Sequence, residues 1–228
     1  MNLKNYLLTA FLVFISLAAY SKGDNPEDYH VRGILADGTE IEGYNETSFN
    51  NFMFPWVTEV KIADTYKGET KKYTSDELKA VWFTSVGEDS IPKIYHAVKA
   101  QKGMPNYFKK NPKPYKKPVF LRLVYNGENV KGYIRPVADY THAQTMSVST
   151  YTYMIYYLTK DSDVAVAYWC ETGDLVPGMK KEMKFYLREF PELVEMVDKG
   201  ELKPNDFRSN PAIVLPLIDK YYRPKGQE

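Results

Sequence analysis

The chain has 228 residues, of which 44% are hydrophobic, 26% charged and 15% aromatic. This composition is that of an ordered globular protein and excludes a disordered tail, a collagen and a coiled coil. The 30 basic and 29 acidic residues give a formal net charge of +1. Residues 1–21 hold one lysine and no acid, so the rest of the chain is formally neutral. Neutrality argues against nucleic acid as the main partner, since phosphate binding needs excess Lys and Arg.

The N-terminal segment has the pattern of a secretion signal. Lys4 precedes an apolar run at 7–19, which is shorter than the roughly 20 residues that span a membrane. No cysteine follows the run, so a lipid-anchored lipoprotein is excluded. We expect residues 1–21 to be a signal peptide and the mature chain to be exported, either to the periplasm or outside the cell. The alternative is an N-terminal membrane anchor.

The cleavage site is predicted from small residues. Ala19 and Ser21 occupy the positions that signal peptidase reads if cleavage falls before Lys22. A cut between Ala19 and Tyr20 is the alternative. After either cut, no transmembrane segment is expected in the mature chain.

Residues 22–100 are predicted to form a small β-rich domain. Segments 29–36 and 39–44 flank Asp37-Gly38, a strong hairpin signal because both turn residues are expected to adopt positive φ. The other predicted features are strands at 58–63, 70–73 and 80–83, a turn at Lys67-Gly68, and a Thr74–Glu77 capping box for one helical turn. This order resembles an SH3-like small barrel over residues 29–85. The resemblance implies a fold and no activity.

A Lys/Pro-rich stretch follows this domain. Residues 94–102 are compatible with a short helix. Prolines at 112, 114 and 118 favour an extended connector, so we predict a linker at 101–118 and a domain boundary there. Its lysines indicate either a solvated linker or a patch for anionic lipid or polysaccharide.

Residues 119–228 are predicted to form a β-meander packed against C-terminal helices. Four strands are expected, at 119–125, 130–137, 146–158 and 164–170. An apolar stripe at helical spacing predicts helices at 178–189 and 191–199, with Pro191 starting the second and Gly200 ending it. A last helix is expected from Asn210-Pro211 to about residue 222, interrupted at Pro216. The predicted fold class is therefore α+β: a small SH3-like β-barrel followed by this second unit.

The whole chain also resembles a group of uncharacterised exported proteins of Bacteroidetes, a domain of unknown function. The shared features are the N-terminal signal, the early strand-Asp-Gly-Thr-strand unit, the Tyr-rich meander and a helical tail like residues 190–194. The resemblance implies an extracytoplasmic compartment and no activity.

Motifs of catalysis and metal binding are lacking. The sequence has no phosphate loop, no Gly-x-Ser-x-Gly and no His-Glu-x-x-His. Asp139 and His142 are spaced as an acid–base pair, although a surface histidine is favoured. The segment 161–163 contains two Asp but lacks the other ligands of a calcium loop, which favours a plain hairpin turn. We predict no catalytic residue, no metal ion and no cofactor.

The single cysteine excludes an internal disulfide and a Cys-based zinc cluster. Cys170 lies in an apolar strand-like segment. A buried, unreactive thiol is favoured there over a nucleophile, because free cysteines are among the most buried residues.

Two aromatic features are candidates for binding. Four aromatic residues fall within 49–56, where exposure would indicate a contact site and burial a lid on the barrel. Alternate tyrosines of the strand 146–158 suit either packing or a carbohydrate or peptide platform. Tyr156 and Tyr157 face opposite sides, so one is exposed unless both faces of the sheet are covered. The candidate binding residues are Phe52, Phe54, Trp56, Tyr151, Tyr153 and Tyr156.

These observations favour an exported, non-enzymatic binding or structural module of the cell envelope. Its expected partner is another envelope protein or a polysaccharide. A homo-oligomer with the aromatic loop as its interface is a further possibility. The alternative function is a glycan- or peptide-directed hydrolase, because glycosidases need only a facing pair of carboxylates.

Overall fold

The computed structural model describes residues 26–45, 58–83, 93–105, 111–138, 151–170 and 178–224. Its strands are β1 (His30–Leu35), β2 (Glu40–Asn45), β3 (Glu59–Ala63), β4 (Thr70–Thr74), β5 (Leu78–Phe83), β6 (Lys93–Val98), β7 (Val119–Asn126), β8 (Val130–Ala138), β9 (Tyr151–Thr159) and β10 (Val166–Cys170). The helices are α1 (Met179–Tyr186), α2 (Pro191–Lys199), α3 (Pro204–Ser209) and α4 (Leu215–Tyr221), with 3₁₀ segments at Pro26–Tyr29 and Pro211–Val214. The predicted succession of antiparallel strands and C-terminal helices is confirmed.

All these strands belong to one open sheet in the order β10-β9-β8-β7-β6-β5-β1-β2-β3-β4. The predicted SH3-like barrel is wrong. Strand β5 pairs with β1 on one side and with β6 on the other, so neither of its edges is available to close a barrel onto β4. Pairing runs on from β6 to β7, and the sheet is continuous across residues 101–118.

The first hairpin forms where the Asp-Gly pair predicts it. Of the two turn residues Asp37 and Gly38, only Gly38 has a positive φ, at 93°, so the expectation that both would have one is wrong. The amide of Leu35 donates to the carbonyl of Thr39 at 2.8 Å, and the amide of Thr39 donates to the Asp37 carboxylate at 2.8 Å. A single left-handed glycine therefore closes the loop, as in three-residue hairpins.

Thr74 and Glu77 make half of the predicted capping box, and they close a turn between β4 and β5 instead of starting a helix. The amide and hydroxyl of Thr74 both donate to Glu77 Oε2 at 2.8 Å. The next residue, Ser75, donates its hydroxyl to the carbonyl of Pro118 at 2.7 Å. This hydrogen bond ties the turn to the chain entering β7.

The helix expected at 94–102 is wrong, because residues 93–98 form the central strand β6. Its first five residues are half-buried whichever face they lie on, and Val98 is buried, so burial does not alternate along the strand. Periodicity alone does not identify such a strand.

The C-terminal meander and helices follow the prediction closely. Pro191 lies at the first turn of α2, and Gly200 ends that helix with a φ of 76°. The last helical segment is interrupted, a 3₁₀ turn preceding α4. Helix α3 is an element that the sequence pattern did not indicate.

Both faces of the C-terminal half of the sheet are buried. On one face, Ile155 and Tyr157 of β9 pack with the helices. On the other face, Tyr133 and Tyr156 pack with residues of β6, β7 and β10. Tyr156 and Tyr157 are therefore both buried, at 0% and 3% exposure. The N-terminal half has its own core, formed by Val31, Val60, Ile62, Leu78, Val81, Phe83 and Phe120.

The chain between β6 and β7 contributes to the core of the second face. Ala100 forms a bridge with Ala165, next to β10, and Tyr115 donates its amide to Ala100 at 2.8 Å. In a flat sheet β6 and β10 would lie about 19 Å apart, since neighbouring strands are separated by ~4.8 Å. The two residues from Val98 to Ala100 span at most about 7 Å, so the sheet itself curves and brings the start of β10 close to the end of β6. The described part of the predicted linker 101–118 is folded onto the sheet.

Candidate functional site

A groove of about 850 Å³ lies where the β9–β10 hairpin meets the start of α2 and the end of α4. Its walls combine aromatic rings, carboxylates and one guanidinium. The lining residues, here called the groove, are Tyr157, Thr159, Asp161, Ser162, Val164, Val166, Glu189, Phe190, Pro191, Glu192, Tyr221, Tyr222, Arg223 and Pro224. A volume of this size is typical of ligand sites, which are ~300–1,000 Å³.

The inner wall of the groove is aromatic. Tyr157 faces the helices, and its ring centroid lies 5.5 Å from that of Phe190 in an edge-to-face arrangement. Phe190 is 5% exposed and immediately precedes α2. Pro191 follows it at the first helical turn, where its fixed φ starts the helix. The sheet and α2 therefore hold both rings in place.

Each of the three carboxylates is held by a neighbouring donor. Glu189 accepts a hydrogen bond from the Tyr157 hydroxyl at 3.3 Å, and Asp161 accepts one from the Tyr222 hydroxyl. Glu192, in the first turn of α2, pairs with the Arg223 guanidinium. The positive end of the helix dipole favours a carboxylate there. These contacts preorganise the acidic wall.

The two phenols act as hydrogen-bond donors at neutral pH. Burial raises the pKa of Tyr157 far above its ordinary value, and the Glu189 carboxylate raises it further. Slight desolvation and the hydrogen bond to Asp161 also raise the pKa of Tyr222. Neither hydroxyl is poised to become a phenolate nucleophile. The groove is suited to binding through charge, hydrogen bonds and aromatic contact.

Of the six predicted binding residues, Tyr156 is the one whose side chain the structure describes, and it is not among the groove residues. Phe52, Phe54 and Trp56 lie outside the described residues. Tyr151 and Tyr153 lie in β9, paired with Ala138 and Pro136, and the description does not extend to their side chains.

For Tyr156 the structure shows the packing role that the sequence also allowed. Its ring is fully buried, and its hydroxyl lies 2.8 Å from Met154 Sδ. The Tyr156 ring is therefore not accessible to a carbohydrate or a peptide.

The structure describes Cys170 and the 161–163 segment, but not the Asp139–His142 pair, among the other residues considered for catalysis or metal binding. Asp139 and His142 lie outside the described residues, and Cys170 lies in β10 opposite Met154. The 161–163 segment is a hairpin turn, since the Ser162 hydroxyl bonds the backbone of Val164. Within the described ranges, no group of three His, Cys, Asp or Glu side chains is arranged to hold a metal ion.

The lysines of the 101–118 segment include two with defined contacts. Lys117 pairs with Asp76 at 3.1 Å, and Lys102 Nζ lies 5.8 Å from the centroid of the Tyr115 ring. A role in binding anionic surfaces stays a prediction.

Sequence reasoning missed the groove because its acidic residues come from separate segments. Asp161 belongs to a hairpin turn, and Glu189 and Glu192 flank the α1–α2 junction. The available signal was Glu189-Phe190-Pro191-Glu192, where a helix start combines an aromatic ring with two acids.

No helix among the described residues is long and apolar enough to cross a membrane.

Comparisons with known proteins found no match: no family model fits the chain, and neither the curated proteins nor the solved structures contain a significant match. The resemblance to exported Bacteroidetes proteins stays a prediction.

Proposed function

We propose that this chain is an exported, non-enzymatic binding module of the cell envelope and that the groove is its ligand site. The observation that carries the proposal is the set of three carboxylates, each held by a neighbouring donor around an aromatic wall. Side chains held in this way are already ordered before a ligand arrives, which lowers the entropic cost of binding. The expected partner is an envelope protein or a polysaccharide.

Export is supported by the Lys4 and apolar 7–19 pattern. Expression of the full chain in its native host, followed by fractionation and N-terminal sequencing, tests it. We expect a mature N-terminus at Lys22 in the extracytoplasmic fraction. An uncleaved chain in the membrane fraction would support the N-terminal anchor instead.

The binding role is tested by blocking the groove. Val164 lines it and is half-buried, so Val164→Trp fills its space. Val124 is 41% exposed on β7 and is not among the groove residues, so Val124→Trp is the matched control. Both variants are first compared with the wild type in thermal unfolding.

The mature protein and both variants are then applied to arrays of bacterial glycans and synthetic peptides. We expect the wild type to bind members of one class and Val164→Trp to weaken that binding by about tenfold or more. Val124→Trp should bind as the wild type does. The proposal fails if the wild type binds neither class, or if Val164→Trp binds equally well.

A hydrolase remains the second candidate, because three carboxylates share one groove. Each already accepts a hydrogen bond or pairs with a cation, which favours the binding role. Incubating each array ligand with the protein and measuring its mass distinguishes the two. An unchanged mass supports the module, and cleavage that is lost in Val164→Trp supports the hydrolase.

A further inference from the structure

We infer that the groove binds a cationic peptide segment, with a lysine or arginine side chain as its anchor. This inference rests on the proposed function, because it names the ligand class of the same site. It is argued from the charges, the rings and the size of the groove.

The lining side chains carry an excess of negative charge. Among the described lining residues, three carboxylates and one guanidinium give a formal charge of −2. Arg223 pairs with Glu192, whereas Asp161 and Glu189 accept hydrogen bonds from neutral phenols. Within the described ranges, neither Asp161 nor Glu189 forms a salt bridge. Two carboxylates therefore remain available to a cation from outside.

Two neighbouring basic residues already contact other groups of this chain, and Lys160 Nζ lies 5.7 Å from the centroid of the Tyr222 ring at the rim of the groove. Lys160 Nζ donates to Asn129 Oδ1 at 2.6 Å, on the adjacent β7–β8 turn. Arg188 donates to the carbonyl of Phe185 at 2.8 Å and lies over the ring of that residue. Neither side chain is among those that line the groove. Among the residues that the structure describes, Arg223 is the one basic side chain that lines the groove.

The aromatic lining matches the rest of such a side chain. Ring faces attract ammonium and guanidinium groups, and rings also pack against the aliphatic stems of Lys and Arg. Phe190 is mostly buried, while Tyr221 and Tyr222 are half-buried at the rim. Lys160 Nζ and Lys220 Nζ already lie 5.7 Å and 5.0 Å from the centroids of the Tyr222 and Tyr221 rings. The stem of a bound side chain would pack on the ring surface that these two lysines leave uncovered, with its charge near Asp161 and Glu189.

The size of the groove favours a peptide over a single amine. About 850 Å³ lies toward the upper end of the range for small-ligand sites. This volume has room for an anchoring side chain together with flanking backbone. A neutral glycan gains nothing from the net charge of the groove, and an anionic ligand is repelled by it.

The test uses the mature protein and short capped Gly/Ser peptides with a central pair of lysines or arginines. Matched neutral probes carry acetyl-lysine or citrulline at the same positions, and a neutral oligosaccharide is the third probe. Affinities are measured by NMR titration at low and high salt. We expect the charged peptides to bind about tenfold more tightly than the neutral peptides, and high salt to weaken them.

Substitutions of the two groove carboxylates then test whether they cause the preference for charged peptides. Asp161→Asn and Glu189→Gln should each weaken the lysine peptide severalfold, whereas Glu59→Gln, on the distant strand β3, should not. Asp161 and Glu189 are exposed, so these variants are expected to remain folded, which thermal unfolding checks.

The outcomes separate this inference from the proposed function. Equal binding of charged and neutral peptides, tighter binding of the oligosaccharide, or no binding of any probe would overturn the cationic ligand. If array ligands are still lost in Val164→Trp while Asp161→Asn and Glu189→Gln bind normally, the groove is the binding site but its ligand is not cationic. If Val164→Trp has no effect, the proposed function itself fails.

Discussion

The carboxylate of Asp219 in α4 accepts a hydrogen bond from the backbone amide of Asn129 at 2.7 Å. This bond attaches the last helix to the turn between β7 and β8. Its other oxygen accepts the Tyr125 hydroxyl at 2.9 Å and the Glu128 amide at 3.2 Å. A Cβ added to Gly127 in this turn would lie 2.1 Å from that oxygen, so glycine leaves room for the carboxylate. One side chain thus joins the C-terminus to the central meander.

Asp219→Asn should lower the free energy of unfolding by about 1–2 kcal/mol, because asparagine provides one acceptor oxygen where the carboxylate provides two. Urea unfolding measures this change. Glu40→Gln, at an exposed position of β2, is the control and should leave the urea midpoint unchanged. Equal midpoints for the wild type and Asp219→Asn would show that the contact contributes no stability.

The same carboxylate makes stability depend on pH. Partial burial acts to raise the pKa of Asp219, but the hydrogen bonds from Asn129, Tyr125 and Glu128 outweigh it and the net pKa is lowered. The stabilisation is therefore present above the unfolded pKa of about 3.9 and is lost as the pH falls through the folded value. The Tm difference between wild type and Asp219→Asn should shrink below about pH 4. A difference that stays constant down to pH 2 would contradict this assignment.

Gly132→Ala should destabilise the protein by about 1–3 kcal/mol through overpacking. Gly132 lies on β8 beneath α4, and an added Cβ would lie 2.3 Å from Leu215 Cδ1 and 3.0 Å from Tyr125 Cβ. Leu215 is fully buried and has little freedom to move. The matched control is Gly103→Ala, where nothing lies within 4 Å of the added atom. Thermal unfolding compares the two, and similar Tm values would refute the packing argument.

His96 should titrate far below an ordinary histidine. Burial, together with the smaller effect of the Lys131 and Lys79 charges, lowers its pKa to about 4. Its Nδ1 lies 3.1 Å from the Tyr133 hydroxyl. The unfolded state takes up a proton near pH 6.5, so stability contributed by neutral His96 is lost as the pH falls from about 6.5 to 4.

An NMR titration of the His96 ring protons should give a midpoint near pH 4. In His96→Gln, the fall in Tm over the same pH interval should be smaller than in the wild type. A midpoint at or above about 6.5 would show that the ring is not desolvated.

Gln101→Ala should lower the free energy of unfolding by about 1–3 kcal/mol, because it leaves a buried backbone amide without its acceptor. Gln101 is buried, and its Oε1 accepts the amide of Ala167 in β10 at 3.2 Å. Lys113→Ala, at an exposed position of the same segment, serves as the comparison. Hydrogen exchange at the Ala167 amide should accelerate in Gln101→Ala alone. Unchanged exchange would show that the side chain does not protect β10.

Local structure was largely predictable, because its causes are local. The Asp37-Gly38 turn and the Pro191–Gly200 pair each act within a few residues, and the first hairpin and α2 lie where they indicate. The pairing of β5 with β6 depends on partners outside any such window, and this pairing removes the barrel. Central strand β6 has no alternation to reveal it.

The groove depends on a different kind of information. Asp161, Glu189 and Arg223 come together only after the sheet and helices have packed, and no spacing in the sequence relates them. The alternate tyrosines of strand 146–158 were candidates for a binding platform because they lie within one short stretch of the sequence. Tyr156 is nevertheless buried, since the chain around Ala100 and Tyr115 helps to enclose that face.

The two ends of the sheet differ in how they resist strand-by-strand polymerisation. At the β4 end, Lys71 and Lys72 would meet the same lysines of an approaching copy, and like charges side by side oppose such growth. At the β10 end, the Gln101 side chain already accepts a hydrogen bond from the Ala167 amide, which an added strand would need for pairing. Both features disfavour the pairing of a further strand with either edge of the sheet.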